Sequence, residues 1–440
     1  MTEAGRARQQ ARRKEGRERN PRGRREGFKE GPVGVVLAGA GARGAYEAGV
    51  LAELLEYLDK RGDRPSVFIG TSAGAINAVL FASLAHLPAD EASKQALSMW
   101  RSVRRNMVFN PFVLTPSAIG RFVIERQLGF KISQPQTAGL SGGLLDTRPL
   151  RHALEELLNW DDLHANIRLN KVKAVAVTAT VCRRGGHTDI FVETPDPCTL
   201  QSDEDRAVRY RNIELKPAHV LASSAIPVLF PPVHLKANER MDKVGSWYID
   251  GGARLNAPIM PAIKLDAAKV VVIAADPAKR FTKEPNGSAG RPPAIEDTFV
   301  QLLNGAMTDR MIEDLSTLKK INHVLSAASD DRTVKSQTGR EYKIIESVFA
   351  GPEPGHVDEL GQLAGTVLAT NFTGVRAFRS LDLRLASHIL GRPSRSQSEL
   401  LSYLLFEPEF IDEAIQLGQR DARRILDRVE KNGDIWDLQS

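Results

Sequence analysis

The chain has only two cysteines in 440 residues, Cys182 and Cys198. That is too few for a disulfide framework, and neither CxxC spacing nor a His-rich neighbourhood marks a zinc site. Such usage fits a reducing compartment. No uninterrupted apolar run approaches the roughly 20 residues that cross a bilayer, and no apolar stretch follows the basic N-terminus as a secretory signal would require. These absences predict a cytoplasmic protein whose membrane contact is at most peripheral. No D-x-D-x-D-G loop is present, so calcium is not implied, and Asp203-Glu204-Asp205 reads as a solvated acidic turn. No internal repeat points to a solenoid.

What is present is an ordinary globular balance, 42% hydrophobic and 26% charged, which excludes a wholly disordered, collagen-like or multi-span membrane chain. The length admits two or three domains, or one large α/β domain with insertions. The net charge of +6 is confined to one place. Residues 1–31 carry eleven Lys/Arg against five Glu, so the rest of the chain is neutral. This stretch has almost no apolar residues to offset its ordering entropy and is expected to be a disordered basic tail. Such a tail binds anionic lipid or nucleic acid by charge alone, or stays solvated without a partner.

Val33 to Leu37 is a short apolar run, followed by a glycine-rich turn and by helical spacing from Ala45 to Tyr57. Val67 to Ile69, a second turn and the apolar Ala75 to Leu84 repeat the pattern. Two β-loop-α units in succession predict a doubly wound, mostly parallel sheet. Further strands are expected at Val172 to Thr178, Ile190 to Val192, Trp247 to Ile249 and Val270 to Ala274, with a helix over Arg148 to Leu158. Residues 32–278 therefore read as an α/β domain and 279–295, rich in Pro, Gly and Ser, as a mobile loop. Residues 296–440 read as a mainly helical extension, with apolar stripes over Phe299 to Leu318 and Leu400 to Leu417. One more strand is expected within Tyr342 to Phe349.

Two glycine motifs carry the chemistry. Gly39-Ala40-Gly41-Ala42-Arg43-Gly44 satisfies G-x-G-x-x-G between a strand and a helix, a context shared by dinucleotide sites and by any loop that turns amides toward an anion. The second strand ends in Gly70-Thr71-Ser72 and not in the acid that would hold a ribose, which argues against a nucleotide cofactor. Gly70-Thr71-Ser72-Ala73-Gly74 satisfies G-x-S-x-G, again between strand and helix, where a serine is exposed on a sharp turn at a helix N-terminus. A serine nucleophile needs a base. Asp250, with Gly251 and Gly252 directly after the short strand Trp247 to Ile249, is the favoured candidate, since burial can raise a carboxylate pKa toward a working range. Among the nine histidines, His234 and His356 stay open as alternatives.

The glycine loop with its basic residue, the following G-x-S-x-G and the distant Asp-Gly-Gly together resemble the patatin-like phospholipases. Ala222-Ser223-Ser224-Ala225-Ile226-Pro227, and Asn256 and Pro258 after Asp250, extend the resemblance over about residues 32–275, and more loosely into the helical extension. The resemblance implies a three-layer α/β/α fold and a lipid acyl hydrolase that needs no metal or other cofactor. It further implies Ser72 as nucleophile, Asp250 as base and the amides of residues 39–44 as oxyanion hole, with Arg43 orienting that loop or meeting a phosphate. Ala40 stands where the family most often has a third glycine; were residue 40 to need positive φ, alanine would cost roughly 1 kcal/mol.

The same dyad would serve an esterase, thioesterase or acyltransferase on a soluble substrate, and the fold could also persist in a non-catalytic membrane-surface protein. Phe109, Phe112, Val113, Leu114 and Ile119 are candidates to line an acyl groove or form a lid, or simply to pack in the core.

Overall fold

The computed structural model describes residues 31–111, 143, 145–195, 201–236, 245–277, 305–327, 343–353, 359–371 and 395–437. Residues 1–30 of the basic tail, the 279–295 loop, Phe112, Val113, Leu114, Ile119, Cys198, Phe299, Leu302, Leu303, Tyr342 and His356 lie outside them.

The first unit is β1 (Val33–Leu37) and α1 (Gly44–Lys60); the second is β2 (Pro65–Thr71) and α2 (Ala73–Ser83). Helices α3 (Ala89–Ser102), α4 (Arg105–Val108), α5 (Arg148–Leu157) and α6 (Trp160–Arg168) precede β3 (Ala174–Val181), β4 (Thr188–Glu193) and β5 (Val208–Asn212). Then come α7 (Pro217–Ser223), β6 (Val233–Leu235), β7 (Ser246–Asp250), α8 (Ile259–Lys264) and β8 (Lys269–Ile273). The chain continues through α9 (Arg310–Ala327), β9 (Glu346–Ala350), α10 (Glu359–Asn371), α11 (Arg395–Ser402) and α12 (Pro408–Asn432). The apolar stripe expected over Leu400 to Leu417 is thus split, with a break between α11 and α12 and Pro408 opening the second helix.

Among the described residues nine strands form one sheet with the order β9-β8-β1-β2-β3-β4-β5, and β7 branches from β3 and carries β6 on its other edge. Neighbours from β9 to β3 run parallel. Side chains alternate across the pleat, so Val35 and Leu37 of β1 belong to one core and Val36 to the other. Helices α1 to α3 and α12 cover the first face; α8 and α9 cover the second, where Met311, Leu315 and Leu318 are buried. The result is the expected three-layer α/β/α arrangement with a mostly parallel sheet. No helix among the described residues is long and apolar enough to cross a membrane.

The register places two strand ends against each other. β3 pairs with β4 along one edge through residues 175–180. Its other edge holds β2 as far as Thr71 opposite Thr178, and then β7, with Asp250 opposite Ala179. Because β7 runs antiparallel to β3, its carboxyl end arrives where the carboxyl end of β2 leaves.

Helix α12 packs on α1 backbone to backbone. A Cβ on Gly49 would stand 2.3 Å from the Ile415 carbonyl oxygen, and one on Gly418 2.1 Å from that of Tyr46. The Tyr46 hydroxyl donates to Asp421 across the same seam at 2.8 Å. Gly418→Ala should therefore force the helices apart and destabilise the fold by about 1–3 kcal/mol. The check is a urea titration, with a lower midpoint at an unchanged slope.

Candidate active site

β2 and α2 meet with no connecting residue but Ser72, which adopts φ 55° and ψ −123°. A non-glycine residue with positive φ is uncommon and strained by about 1–3 kcal/mol, so the surroundings must hold it. They do so by close approach: a Cβ on Gly70 would stand 2.0 Å from the Gly74 carbonyl oxygen, and one on Gly74 2.3 Å from that of Leu37. The Ser72 amide donates to Ser223 Oγ at 2.9 Å. Beside it Thr71 Oγ1 lies 2.5 Å from Thr178 Oγ1 and donates to the Leu255 carbonyl. The turn is tied to three other segments.

Asp250 ends β7 and is 4% exposed. Its amide donates to the Ala225 carbonyl at 2.8 Å, and its Oδ1 accepts from the Gly252 amide at 2.7 Å. The Ser72 side chain lies near enough to its carboxyl group to favour the ionised form. Burial raises the Asp250 pKa from 3.8 to about 6, against the opposing pull of the Ser72 side chain and the Gly252 amide. Gly251 permits this turn, since a Cβ there would meet Thr178 Oγ1 at 2.3 Å. Sequence reading noted the 222–227 segment but not what it does: Ser223 holds the Ser72 amide while Ala225 holds that of Asp250.

The glycine loop after β1 lies beside both. Asn256 Oδ1 accepts from the Gly39 amide at 2.9 Å, and a Cβ on Gly39 would stand 3.1 Å from that of Ser72. Positive φ falls on Gly41, at 56°, whereas Ala40 has φ −148°. The alanine in place of a third glycine is therefore unstrained. The Ala42 amide donates to the Tyr403 carbonyl at 2.8 Å, that of Arg43 to Ala40, and that of Gly44 to Gly41 and Ala42. The amides of Ala40 and Gly41 have no hydrogen-bond partner among the described residues. Of the six residues expected to supply amides, 39–44, these two are the ones without a partner among the described residues.

Arg43 does not face the cavity as a phosphate ligand. It is 3% exposed, pairs with Asp276 at 3.1 Å and donates through Nε to Ser402 Oγ at 2.6 Å. Its Nη2 donates to the Glu399 carbonyl, and the guanidinium lies 4.2 Å from the centre of the Tyr403 ring. Of its two expected roles, the structure supports the orienting one.

Ser72 opens onto an apolar cavity bounded by Ile76, Trp100, Leu154, Ile226, Phe230 and Phe406 among others. The Trp100 indole NH is satisfied away from the cavity, on Asn77 Oδ1 at 2.7 Å. Among the described residues of the lining, Ser72 and Ser224 bear hydroxyls and none is a histidine. His234 instead sits on β6, its ring against Trp247. Phe109, the described member of the groove candidates, is buried against Phe230 and Phe406 and backs the wall. Asp203 of the acidic turn accepts from Lys264 Nζ at 3.0 Å.

The model of the patatin-like phospholipase family matches residues 35–263, slightly more than half of the chain, and spans the glycine loop, Ser72 and Asp250. The chain belongs to this family, which places it among the lipid acyl hydrolases. No curated protein sequence matches it. Solved structures that match include VipD from Legionella pneumophila, at 14% identity, covering 92% of this chain and 87% of that one, with a TM-score of 0.28. Human GIVD cytosolic phospholipase A2 matches at 10% identity over 90% of this chain and 60% of its own length, with a TM-score of 0.34. The ExoU–SpcU complex of the Pseudomonas aeruginosa type III secretion system matches at 14% identity over 91% and 77%, with a TM-score of 0.22. At these TM-scores the superpositions carry no argument; the assignment rests on the family match.

The buried Asp250 carboxyl has a consequence for stability. The folded state keeps its proton up to about pH 6, whereas an unperturbed carboxyl loses it near 3.8. Stability is therefore fully present below the lower value and falls as pH rises to the upper one, by about 3 kcal/mol. Asp250→Asn should raise the unfolding midpoint above about pH 7, and the gain should vanish below about pH 4. Thermal unfolding of both proteins across pH measures this.

Proposed function

We propose that the chain cleaves carboxylic esters of glycerolipids, in the manner of a phospholipase A or lysophospholipase, through a Ser72–Asp250 dyad and an acyl-enzyme. The observation that carries this reading is the placement of the Ser72 side chain, held at positive φ on the wall of an apolar cavity, where it acts on the buried Asp250 carboxyl group. Asp250 takes the hydroxyl proton as Ser72 Oγ bonds to the ester carbonyl carbon. The carbonyl oxygen becomes an anion and meets the free amides of Ala40 and Gly41, a type of contact worth about 10²–10³ in rate per donor. On collapse the ester C–O bond breaks, and the proton passes from Asp250 to the departing alkoxide. Water then repeats the sequence on the acyl-enzyme: Asp250 takes its proton as the water oxygen bonds to the acyl carbon, the bond to Ser72 Oγ breaks, Asp250 returns the proton to Oγ, and the fatty acid leaves. The apolar cavity supplies the room an acyl chain needs and keeps bulk water from the reacting atoms.

In this reading the basic tail of residues 1–31 adds charge-driven contact with an anionic bilayer. Its deletion should weaken binding to anionic vesicles while hydrolysis of a soluble ester continues at the rate of the intact chain.

Release of p-nitrophenol from a medium-chain ester, and of fatty acid from mixed phospholipid vesicles, tests the dyad. Ser72→Ala and Asp250→Asn, each shown to be folded by circular dichroism, should lose about 10³-fold or more in kcat. Near-normal turnover by Asp250→Asn would assign the base elsewhere. Because Asp250 must be ionised to accept a proton, kcat/KM should rise with pH through a single ionisation at about 6 and then level.

A further inference from the structure

The glycine loop is braced from a part of the chain that the family match does not reach. Residues 35–263 are matched, yet the loop's shape is set by residues 276, 308 and 399–403. The Tyr403 carbonyl accepts the Ala42 amide, and a Cβ on Gly41 would stand 2.3 Å from that same oxygen. One carbonyl thus removes Ala42 from the set of free amides and presses on the residue whose amide remains free. Arg43, the next residue, carries the rest of the brace. Its guanidinium is flanked by Asp276, Ser402 Oγ, the Tyr403 hydroxyl at 3.4 Å and the Glu399 carbonyl. Asp276 is in turn held by Thr308, whose Oγ1 donates to Oδ2 at 3.0 Å. Three residues after Tyr403, Phe406 enters the cavity wall. The Gly39 end of the loop is fixed separately by Asn256, so the stretch between the two anchors, Ala40 and Gly41, is held from both sides.

We infer that Arg43, Asp276 and Tyr403 are positioning residues, which aim the Ala40 and Gly41 amides at the developing oxyanion and make the 399–406 segment a working part of the active site. The inference rests on the proposed ester cleavage, because only a reaction that builds charge on the carbonyl oxygen gives those amides a role. A brace of this kind acts on the transition state more than on the bound ester, whose carbonyl oxygen carries far less charge. Displacement of two donors by a fraction of an ångström therefore lowers kcat and leaves KM nearly untouched.

Asp276→Asn keeps the shape of the brace and removes its charge; Tyr403→Phe removes only the hydroxyl contact with Arg43. Steady-state kinetics on a p-nitrophenyl ester should show kcat lowered by about 30-fold or more in Asp276→Asn, with KM within about threefold of the parent. Affinity for an alkyl trifluoromethyl ketone, which becomes a tetrahedral oxyanion on Ser72, should fall in parallel with kcat, and Tyr403→Phe should show a smaller loss of the same kind. Equal kcat and equal ketone affinity in a folded Asp276→Asn would overturn the inference, as would a change confined to KM. Should that variant not fold, the Tyr403→Phe result decides on the same two readouts. Loss of ester hydrolysis in Ser72→Ala, measured alongside, separates failure of the brace from failure of the proposed reaction.

Discussion

A Cβ on Gly70 would collide with the Gly74 backbone, and one on Gly74 with the backbone of β1. This lack of room is what the site is built around. It lets β1, β2 and α2 approach closely enough that the only residue between strand and helix is driven into positive φ, a conformation that stands Ser72 clear of both elements. The strain is local and the restraint is distributed. Ser223 at the end of α7, Thr178 on β3 and Leu255 beyond β7 each hold part of the turn. Relaxing the strain would require moving three separate segments, so the serine stays in place.

A second constraint follows from the sheet. β2 is shorter than its neighbour β3, and the vacant length of the β3 edge is taken by β7 running the other way. The strand that fills the gap ends on the carboxyl group. Asp250 is thus brought to Ser72 by backbone pairing and not by side-chain preference, and its burial is a by-product of sitting between paired strands. The same burial that raises its pKa makes it a costly residue for the fold, a local departure from good packing chemistry of the kind that collects where proteins do chemistry.

Both glycine motifs, the Asp-Gly-Gly and the α/β alternation could be read in the chain because they are local: a turn that needs no side chains announces itself in consecutive residues. Strand β5 could not be read, because Arg209 and Arg211 look like solvent-facing charges until the buried Asp189 that they share is known. Helix α3 was legible in principle, since Ala89, Ala92, Ala96, Leu97 and Trp100 recur at helical spacing on its buried side, with polar residues on the other. β3 extends to Val181, beyond the expected Thr178, over the length where β7 joins it. The role of Arg43 was half legible. A basic residue after the glycines could be seen, but its partners Asp276 and Ser402 are remote in sequence, and only the fold says which way the guanidinium turns.

That remoteness has a consequence for the order in which the molecule is made. Arg43 and Ser402 are 359 residues apart, so a chain emerging from the ribosome presents Ser72 and Asp250 long before Tyr403 is available to fix the Ala40–Gly41 stretch. Biosynthesis thus separates Ser72 and Asp250 in time from the segment that braces the glycine loop. In the proposed reaction, a polypeptide that stops short of Tyr403 carries the Ser72 hydroxyl and the Asp250 carboxyl group without the carbonyl that takes up the Ala42 amide.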